Sequence, residues 1–337
     1  IESISWETTT NWGIAVETSI FSCLDFSVEY YSRVTDGIIM DVLVPATFGL
    51  GAYKDNVGKM ENRGVEVTAS FHKQWGDWRF NASGNVAFNH NEVLDLGVGG
   101  DKISNYYINR VGEAYNSFYG YVADGLFQSQ EEADQFTKTY GNPFGKAFKA
   151  GDIRYKDLNG DNIIDDNDQC PIGNPIYPQL TAGITAGFEY KGFDFSMLWA
   201  GSGKVSRFIS AGLRVPFGGG NYGLLQYMID DHWTPETAET AKTPRFSGAA
   251  NANNYTRNST LWLKDASYIR LKNVQIGYTF KGEWMKKIHL KNMRIYASGE
   301  NLLTFDHLKI ADPEATDDKQ FQYPLQMIFN IGLNLNF

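Results

Sequence analysis

The sequence predicts an all-β fold, namely an antiparallel transmembrane β-barrel with long extracellular loops. Apolar and polar side chains alternate with a period of two along much of the 337 residues, whereas helical periodicity is nearly absent. Short connections alternate with long ones, as in barrels with tight turns at one rim. The last eleven residues, MIFNIGLNLNF, keep this alternation to a terminal Phe. A tilted strand of this length, rising about 3.3 Å per residue, crosses the hydrocarbon layer.

Composition narrows the class of protein. The length allows one large β domain or two ordinary ones, and the net charge of −9 argues against a nucleic-acid partner. Cys23 and Cys170 lie far apart, so a disulfide framework has no support. No apolar run approaches about 18 residues, which excludes a membrane-spanning helix. The first residues lack a secretion signal and are typical of a strand, so we expect the chain to begin within a longer or processed polypeptide.

Eight strands are predicted before the terminal one. In the third, Val65, Val67 and Phe71 alternate with Glu66 and Thr68. The polar sides carry Asn, Ser, Thr, Glu and Gln, which suit a polar lumen, while aromatic residues often flank the apolar sides, as interfacial girdles do. The predicted strands are 4–17, 22–36, 61–74, 77–95, 178–190, 192–203, 260–280 and 290–303.

The connections between these strands differ in length. Those near Gly76 and Lys191, and the one between Phe280 and Met293, are short. A soluble sandwich is the alternative for any single strand, but a sandwich has no reason to keep its long loops at one end. If the C-terminus lies at the short-turn rim, the sheet has nine to eleven strands, since 96–177 must add none or two. The long polar connections are 37–60, 96–177, 203–259 and 304–323.

An ordered set of motifs then resembles one family nearly end to end. The chain resembles the C-terminal half of the SusC/RagA class of TonB-dependent transporters. The motifs include WETT (6–9), NRGVEVTASF (62–71), SGNVAFNHNEV (83–93), GDIRYKDLNGDNIIDDND (151–168), LWLKDASYIRLKNVQIGYTF (261–280), RIYASGENLLTF (294–305) and the final NLNF.

This resemblance implies an outer-membrane barrel of about 22 strands, with residues 1–337 as its C-terminal half. The plug and the first strands would lie in the remaining N-terminal part of the transporter, because an open half-barrel would expose unpaired edges to lipid. It implies a SusD-like surface lipoprotein, energy from TonB, ExbB and ExbD through the plug, and oligosaccharide or peptide cargo, with glycans ranked first. Phe337 resembles the C-terminal aromatic insertion signal of such barrels; alternatively, it only fills an interfacial position.

The most specific local motif is DLNGDNIIDDND, residues 157–168. Its oxygen-bearing residues match positions 1, 3, 5, 7, 9 and 12 of a calcium loop. Asn162 replaces the usual Gly, and the last ligand is Asp rather than Glu. The alternative is an Asx-rich turn that bonds to its own backbone. The candidate ligands are Asp157, Asn159, Asp161, the Ile163 carbonyl, Asp165 and Asp168.

Catalysis is not expected, and neither is an organic cofactor. Gly201 to Lys204 do not form a phosphate loop, because Leu198 occupies the first Gly position and Val205 replaces Ser or Thr. The five histidines have no metal-ligand spacing, and no nucleophile elbow or carboxylate pair is found. The alternatives are a self-contained barrel enzyme of protease or lipase type, which would need such a cluster on its long loops, and a structural or adhesive barrel.

Aromatic residues in the long loops are candidates for contact with cargo or with the lipoprotein. They could stack on sugar rings or dock a partner, or they could pack the loops onto one another. These residues are Tyr222, Tyr227, Trp233, Tyr255 and Trp262.

Overall fold

The computed structural model describes residues 4–42, 53–218, 223–248, 251–316, 320 and 323–337. Nine long strands form one antiparallel sheet. The strands are β1 (Thr8–Ile20), β2 (Leu24–Val42), β3 (Tyr53–Trp75), β4 (Trp78–Leu96), β5 (Lys102–Ser104), β6 (Tyr107–Asn109), β7 (Ser117–Tyr121), β8 (Ala123–Leu126), β9 (Ile153–Tyr155), β10 (Gln169–Pro171), β11 (Leu180–Tyr190), β12 (Phe193–Gly203), β13 (Ser206–Phe208), β14 (Leu263–Asp265), β15 (Tyr268–Phe280), β16 (Asn292–Asp306) and β17 (Ile328–Asn336).

The large sheet has the order β1-β2-β3-β4-β11-β12-β15-β16-β17, so each strand pairs with the next long strand along the chain. This confirms the antiparallel barrel-type fold. It also gives nine strands, the lower limit of the predicted nine to eleven, since 96–177 adds no strand to this sheet. The helices are α1 (Gln130–Tyr140), α2 (Ala211–Arg214), α3 (Gln226–Asp230) and α4 (Glu283–Lys286), and Asp166–Asp168 form a short 3-10 helix. Within the described part of the chain, no helix is long and apolar enough to span a membrane.

One face of the large sheet is apolar from edge to edge. The register pairs Ile184 with Trp199 in the middle of the sheet and Ile295 with Leu333 near its end. Because successive side chains in a strand alternate between faces, every residue of the predicted apolar parity lies on this side. Ile331 is 87% exposed, although it belongs to the apolar parity. An exposed apolar surface of this extent is explained by lipid.

Aromatic rings cluster on this apolar face near the short-turn end. The ring centroids of Trp78 and Tyr190 are 4.2 Å apart, and those of Phe188 and Phe195 are 5.6 Å apart. Trp78 and Tyr190 are cross-strand partners, as are Phe188 and Phe195. Their position agrees with the predicted interfacial girdle.

The connections at this end of the sheet are short. Phe21, Gly76 and Lys191 lie in the tight turns and have φ values of 53°, 56° and 46°. The fourth connection, between β15 and β16, contains α4. All four short connections lie at the same end of the strands because successive strands run in opposite directions. The long connections lie at the other end. This confirms the predicted asymmetry.

The prediction that 37–60 is a loop is wrong over most of that range. β2 continues to Val42, and β3 begins at Tyr53, with Asp41 opposite Lys54. These strands have 19 and 23 residues, about twice the 9–11 that a membrane-spanning strand requires. They therefore project beyond the apolar band, where water surrounds both faces and alternation is not required. Residues 43–52 lie outside the described part.

The predicted strand 260–280 also differs from the structure. Its first part separates as β14, which pairs with β13 in a small ribbon, and the long strand begins only at Tyr268. In addition, the long connection 96–177 is not only loop. It contains α1 and a four-stranded sheet of order β10-β7-β6-β5.

The two longest connections pack together into what we call the loop domain, comprising the described residues of 97–177 and 204–266. Its buried core includes Phe118, Phe127, Phe148 and Tyr155 from the first connection. Phe208, Tyr255 and Trp262 contribute from the second. The core buries apolar area that neither connection could bury alone, so the loops form a folded cap on the long-loop end of the sheet.

Candidate functional site

The polar face of the sheet carries a cluster of amide side chains near the loop domain. Asn62, Asn89 and Asn91 have the opposite parity to Val65 and Phe88, so they lie on the face away from the apolar surface. The Nδ2 groups of Asn89 and Asn91 donate to Asn62 Oδ1 at 3.3 and 3.0 Å. These bonds fix the orientation of the Asn62 amide, because its oxygen is the shared acceptor.

Tyr31 fixes the cluster from the neighbouring strand. Its hydroxyl donates to Asn89 Oδ1 at 2.9 Å. The ring reaches Asn89 by passing over Gly64, its cross-strand partner. A Cβ on Gly64 would lie 2.7 Å from the Tyr31 hydroxyl oxygen and 2.2 Å from the Phe88 carbonyl oxygen. Only glycine therefore allows this route.

A loop-domain segment around Tyr115 and the segment 175–179, which leads from the loop domain into β11, roof the amide cluster and line a cleft of about 400 Å³. The Tyr115 N–H donates to Asn91 Oδ1 at 2.8 Å, and the Asn89 N–H donates to the Gln179 carbonyl at 2.8 Å. Tyr115 and Tyr177 line the opening and are 40% and 62% exposed. The described residues that line the cleft are Met, Ala, Pro, Asn, Gln and Tyr, so none carries a formal charge.

A second polar group lies on the same face toward the short-turn end. Arg294 donates to both carboxylate oxygens of Asp194, at 2.9 and 2.5 Å, and to Gln275 Oε1 at 3.0 Å. Asp194, Gln275 and Arg294 belong to three successive strands of the sheet. The bidentate pair therefore ties these strands together across the polar face.

A third polar group holds residues 306–316, which we call the strap, against β15. Arg270 is 3% exposed and pairs with Asp312 and Glu314, each at 3.0 Å. Lys272 also contacts Glu314, at 2.5 Å. Burial acts to raise the pKa of Asp312, but hydrogen bonds from the Glu314 N–H and from Arg270 outweigh it, and the pKa falls below its ordinary value.

The Asp-rich loop bonds mainly to its own backbone. Asp157 accepts from the Gly160 and Asn162 N–H groups at 2.7 and 2.9 Å. Asp168, which is fully buried, accepts from the Leu158 and Asp165 N–H groups at 2.7 and 2.9 Å.

The other predicted side-chain ligands behave in the same way, whereas the predicted contact of the Ile163 carbonyl with calcium stays untested. Asn159 accepts from the Asp161 N–H, Asp161 from the Ile163 N–H, and Asp165 from the Asn167 N–H. Asn162 has a φ of 63°, the left-handed conformation expected where a calcium loop has Gly. Among the described residues, no group of three or more His, Cys, Asp or Glu side chains is arranged to hold a metal ion. The arrangement is that of Asx turns, and calcium binding stays a prediction.

The predicted loop aromatics are mostly part of the packing. Tyr255 and Trp262 are each 2% exposed in the core of the loop domain, and burial raises the pKa of Tyr255 to about 12. The Tyr227 hydroxyl donates to the Leu213 carbonyl. Trp233 packs over Gly151, whose added Cβ would meet the indole at 2.5 Å. These contacts agree with the packing interpretation. Tyr222 lies outside the described residues.

Phe337 has the position that the sequence predicts. It follows β17 directly and is 76% exposed. It shares its parity with Phe329, Ile331 and Leu335, so it extends the apolar face to the short-turn rim. Its role as an insertion signal stays a prediction.

Comparison with known proteins decides the family. The family model described as TonB dependent receptor-like, beta-barrel, matches residues 2–302. The chain belongs to this family. Other barrels of TonB-dependent receptors lie in the outer membrane, which agrees with the apolar face. The prediction that the chain is not an enzyme agrees with membership of a receptor family.

Individual relatives support the same assignment. The chain is 28% identical to TonB-dependent receptor P26 of Formosa agariphila, with 99% of the chain and 35% of that protein covered. It is 27% identical to TonB-dependent receptor SusC of Bacteroides thetaiotaomicron, with 100% of the chain and 32% of that protein covered. The resemblance to SusC-like transporters is therefore confirmed. The chain spans about a third of the length of these relatives.

Solved structures show the same fold. The RagAB peptide importer in its open-open state matches with a TM-score of 0.80 and 24% identity, covering 99% of this chain and 35% of that one. Its closed-closed state matches with a TM-score of 0.75 and 25% identity, covering 99% and 36%. This TonB-dependent receptor chain thus matches about a third of the length of those chains.

The cleft is the feature that sequence reasoning misses. Its residues come from β3, β4 and two loop segments that are distant in sequence. One signal was present: Asn62, Asn89 and Asn91 all have the polar parity near the long-loop ends of adjacent strands.

Proposed function

We propose that this chain forms the C-terminal wall of a TonB-dependent transporter that imports oligosaccharides or peptides across the outer membrane. One observation carries the proposal: nine strands present a continuous apolar face on one side and a polar face on the other, and a folded loop domain caps one end. This is the arrangement that a lipid-facing, lumen-lining wall requires. Family membership and the relative named SusC support it.

The proposed transporter is a multi-pass barrel completed by further strands. In the described part, β1 and β17 each have a partner on one side only. An unpaired edge in hydrocarbon costs several kcal/mol for each unsatisfied backbone group. We therefore assign the closing strands and the plug to the N-terminal part of the same transporter.

Two partners follow from this function. A SusD-like surface lipoprotein would seat on the loop domain, whose packed aromatic core makes it a rigid platform rather than a set of separate loops. Energy would come from TonB, ExbB and ExbD acting on the plug. The barrel-enzyme alternative is not favoured, because the matched family is one of receptors.

Uptake in cells tests the proposal. A strain that expresses the complete transporter should accumulate a fluorescently labelled oligosaccharide or peptide, and deletion of tonB should abolish the accumulation. The matched control is the same strain with tonB restored on a plasmid. Accumulation that is unchanged without tonB would contradict the proposed energy coupling.

A further inference from the structure

We propose that the uncharged cleft roofed by the loop domain is a binding subsite for a neutral sugar residue of the cargo. This inference rests on the proposed transport function and selects one of its two cargo classes. The cleft lies on the polar face, directly beneath the loop domain, where imported cargo would enter the lumen. Its volume of about 400 Å³ is within the range of small-molecule sites.

The amide cluster supplies an oriented hydrogen-bond donor. Asn62 Oδ1 already accepts from Asn89 and Asn91, and in the described residues its Nδ2 group has no hydrogen-bond partner. Since the oxygen is held by two donors, the amide of Asn62, which lines the cleft, is fixed and its Nδ2 group remains a donor. Gln179 lines the same cleft with a second side-chain amide. Neutral donors and acceptors of this kind match sugar hydroxyl groups, which both donate and accept.

Two aromatic rings supply the apolar surface. Tyr115 and Tyr177 are among the more exposed tyrosines near the sheet, at 40% and 62%. They differ in this from Tyr255 and Trp262, which the core of the loop domain buries. A sugar ring has an apolar C–H face that packs on such rings, while its hydroxyl groups reach the amides.

The absence of charge in the described lining separates a neutral sugar from other cargo. An anionic sugar or a peptide terminus bound here would lose water without gaining an opposite charge, which is costly. Arg33 is the cross-strand partner of Asn62 on the same face, but its guanidinium lies over the Tyr31 ring, 4.9 Å from the centroid, and it does not line the cleft. Arg63 and Glu92 have the opposite parity to Asn62 and Asn91, and they pair with each other at 3.2 Å.

Two substitutions in the complete transporter test the site. Asn62→Asp keeps an oxygen for the Asn89 and Asn91 amides but replaces the donor with a charged acceptor. Tyr177→Ala removes one ring. The matched controls are Asn142→Asp, an exposed amide beyond α1, and Tyr53→Ala, a tyrosine that is 49% exposed at the start of β3. Neither control residue lines the cleft.

Calorimetry on the purified transporter measures binding without TonB. The probes are neutral hexasaccharides of glucose, mannose, xylose and galactose, hexasaccharides of uronic acids, and hexapeptides. We expect the wild type to bind at least one neutral hexasaccharide more tightly than the charged probes. Asn62→Asp and Tyr177→Ala should each weaken that binding about tenfold, as expected for a lost hydrogen bond or stacking surface, and both controls should bind like the wild type.

The outcomes separate this inference from the transport function. Neutral saccharide binding that survives both cleft substitutions overturns the site. A wild type that binds none of the neutral probes, or that prefers peptides or uronic acids, overturns the sugar assignment. After either result, accumulation of labelled cargo that depends on TonB would still support the proposed transport. Absence of that accumulation would count against the transport function but not against the cleft.

Discussion

Tyr31 lies across Gly64 on the adjacent strand, and its hydroxyl reaches Asn89 on the strand beyond, at 2.9 Å. One side chain thus bridges β2, β3 and β4 on the polar face. The same geometry recurs near the other edge of the sheet, where Tyr296 lies over its partner Gly332. Pairing a tyrosine with a glycine lets a large ring lie flat against the wall instead of filling the lumen.

Gly64→Ala should disturb this bridge. The added Cβ would lie 2.2 Å from the Phe88 carbonyl oxygen and 2.7 Å from the Tyr31 hydroxyl oxygen, so the backbone and the ring must move. We expect a loss of about 1–3 kcal/mol, typical of overpacking. The measurement is the fraction of complete transporter that stays folded in detergent across a urea series.

Gly84→Ala is the matched control for this prediction. Gly84 lies in β4, and its added Cβ would meet nothing closer than 3.7 Å. The Gly84→Ala variant should therefore unfold like the wild type. Equal stability of all three proteins would show that the Tyr31 position is not held by Gly64.

Replacement of Phe337 should reduce insertion. Phe337→Asp removes the terminal aromatic and places a charge on the apolar face at the rim. We expect less folded transporter in outer-membrane fractions at equal total expression, measured by immunoblot. Phe21→Asp is the control, because Phe21 is 87% exposed in a turn at the same rim. A similar yield for both variants and the wild type would remove the insertion role.

The Asp-rich loop gives a calcium prediction. If the loop binds calcium, Asp161→Ala should weaken binding about tenfold or more, because one of six oxygen ligands is lost. Calorimetric titration of the complete transporter with calcium measures this. Glu131→Ala, at an exposed site on α1, should leave binding unchanged.

The competing Asx-turn interpretation makes a different prediction for the same loop. With no calcium heat in the wild type, the loop would depend on its internal bonds alone. Loss of the buried Asp168, which accepts from two N–H groups, should then loosen the loop more than loss of the exposed Asp161. Hydrogen exchange of residues 157–168, compared between loss of Asp168 and loss of Asp161, distinguishes the Asx-turn interpretation from calcium binding.

Acid should release the strap from β15. The pKa of Asp312 is lower in the folded state than its ordinary value of 3.8. Its ionised form therefore contributes stability that is fully present above pH 3.8 and is lost as the pH falls through the lower folded pKa. We expect amide hydrogen exchange in peptides from 306–316, measured against exchange in peptides from β15, to become faster only in that acidic range.

Asp312→Asn should remove part of this contribution at neutral pH. The variant keeps the shape but leaves Arg270, which is 3% exposed, with weaker compensation of its charge. Asp41→Asn is the control, since its ion pair with Lys54 is 63% exposed on both sides and contributes about 0–1 kcal/mol. Strap exchange in Asp312→Asn that matches the control would contradict the role of the ion pair.

The sequence predicted the membrane-crossing part of the fold well, for a physical reason. A strand between lipid and lumen must alternate, so residues such as Ile184 and Thr185 reveal their faces without further information. Beyond the membrane this constraint disappears. The polar ends of β2 and β3, near Asp41 and Lys54, therefore resembled a loop although they are paired strand.

The loop domain and the cleft could not be predicted in the same way. Strands of three to five residues, such as β7 and β9, are too short to show a period. Their stability comes from contacts between distant segments, for example Tyr155 with Tyr121, and the cleft similarly joins Asn62 to Tyr177. Such long-range contacts leave no local pattern.

In the proposed transporter, β17 and the strands before it form a wall between lipid and an aqueous lumen. Spin labels placed one at a time at residues 328–336 of the complete transporter, in outer-membrane vesicles, test it most directly. Collision with dissolved oxygen and with a water-soluble nickel complex reports lipid or water at each site. We expect oxygen accessibility to peak at Phe329, Ile331, Leu333 and Leu335, and nickel accessibility at the residues between them. Equal access of the nickel complex to both parities would contradict the account.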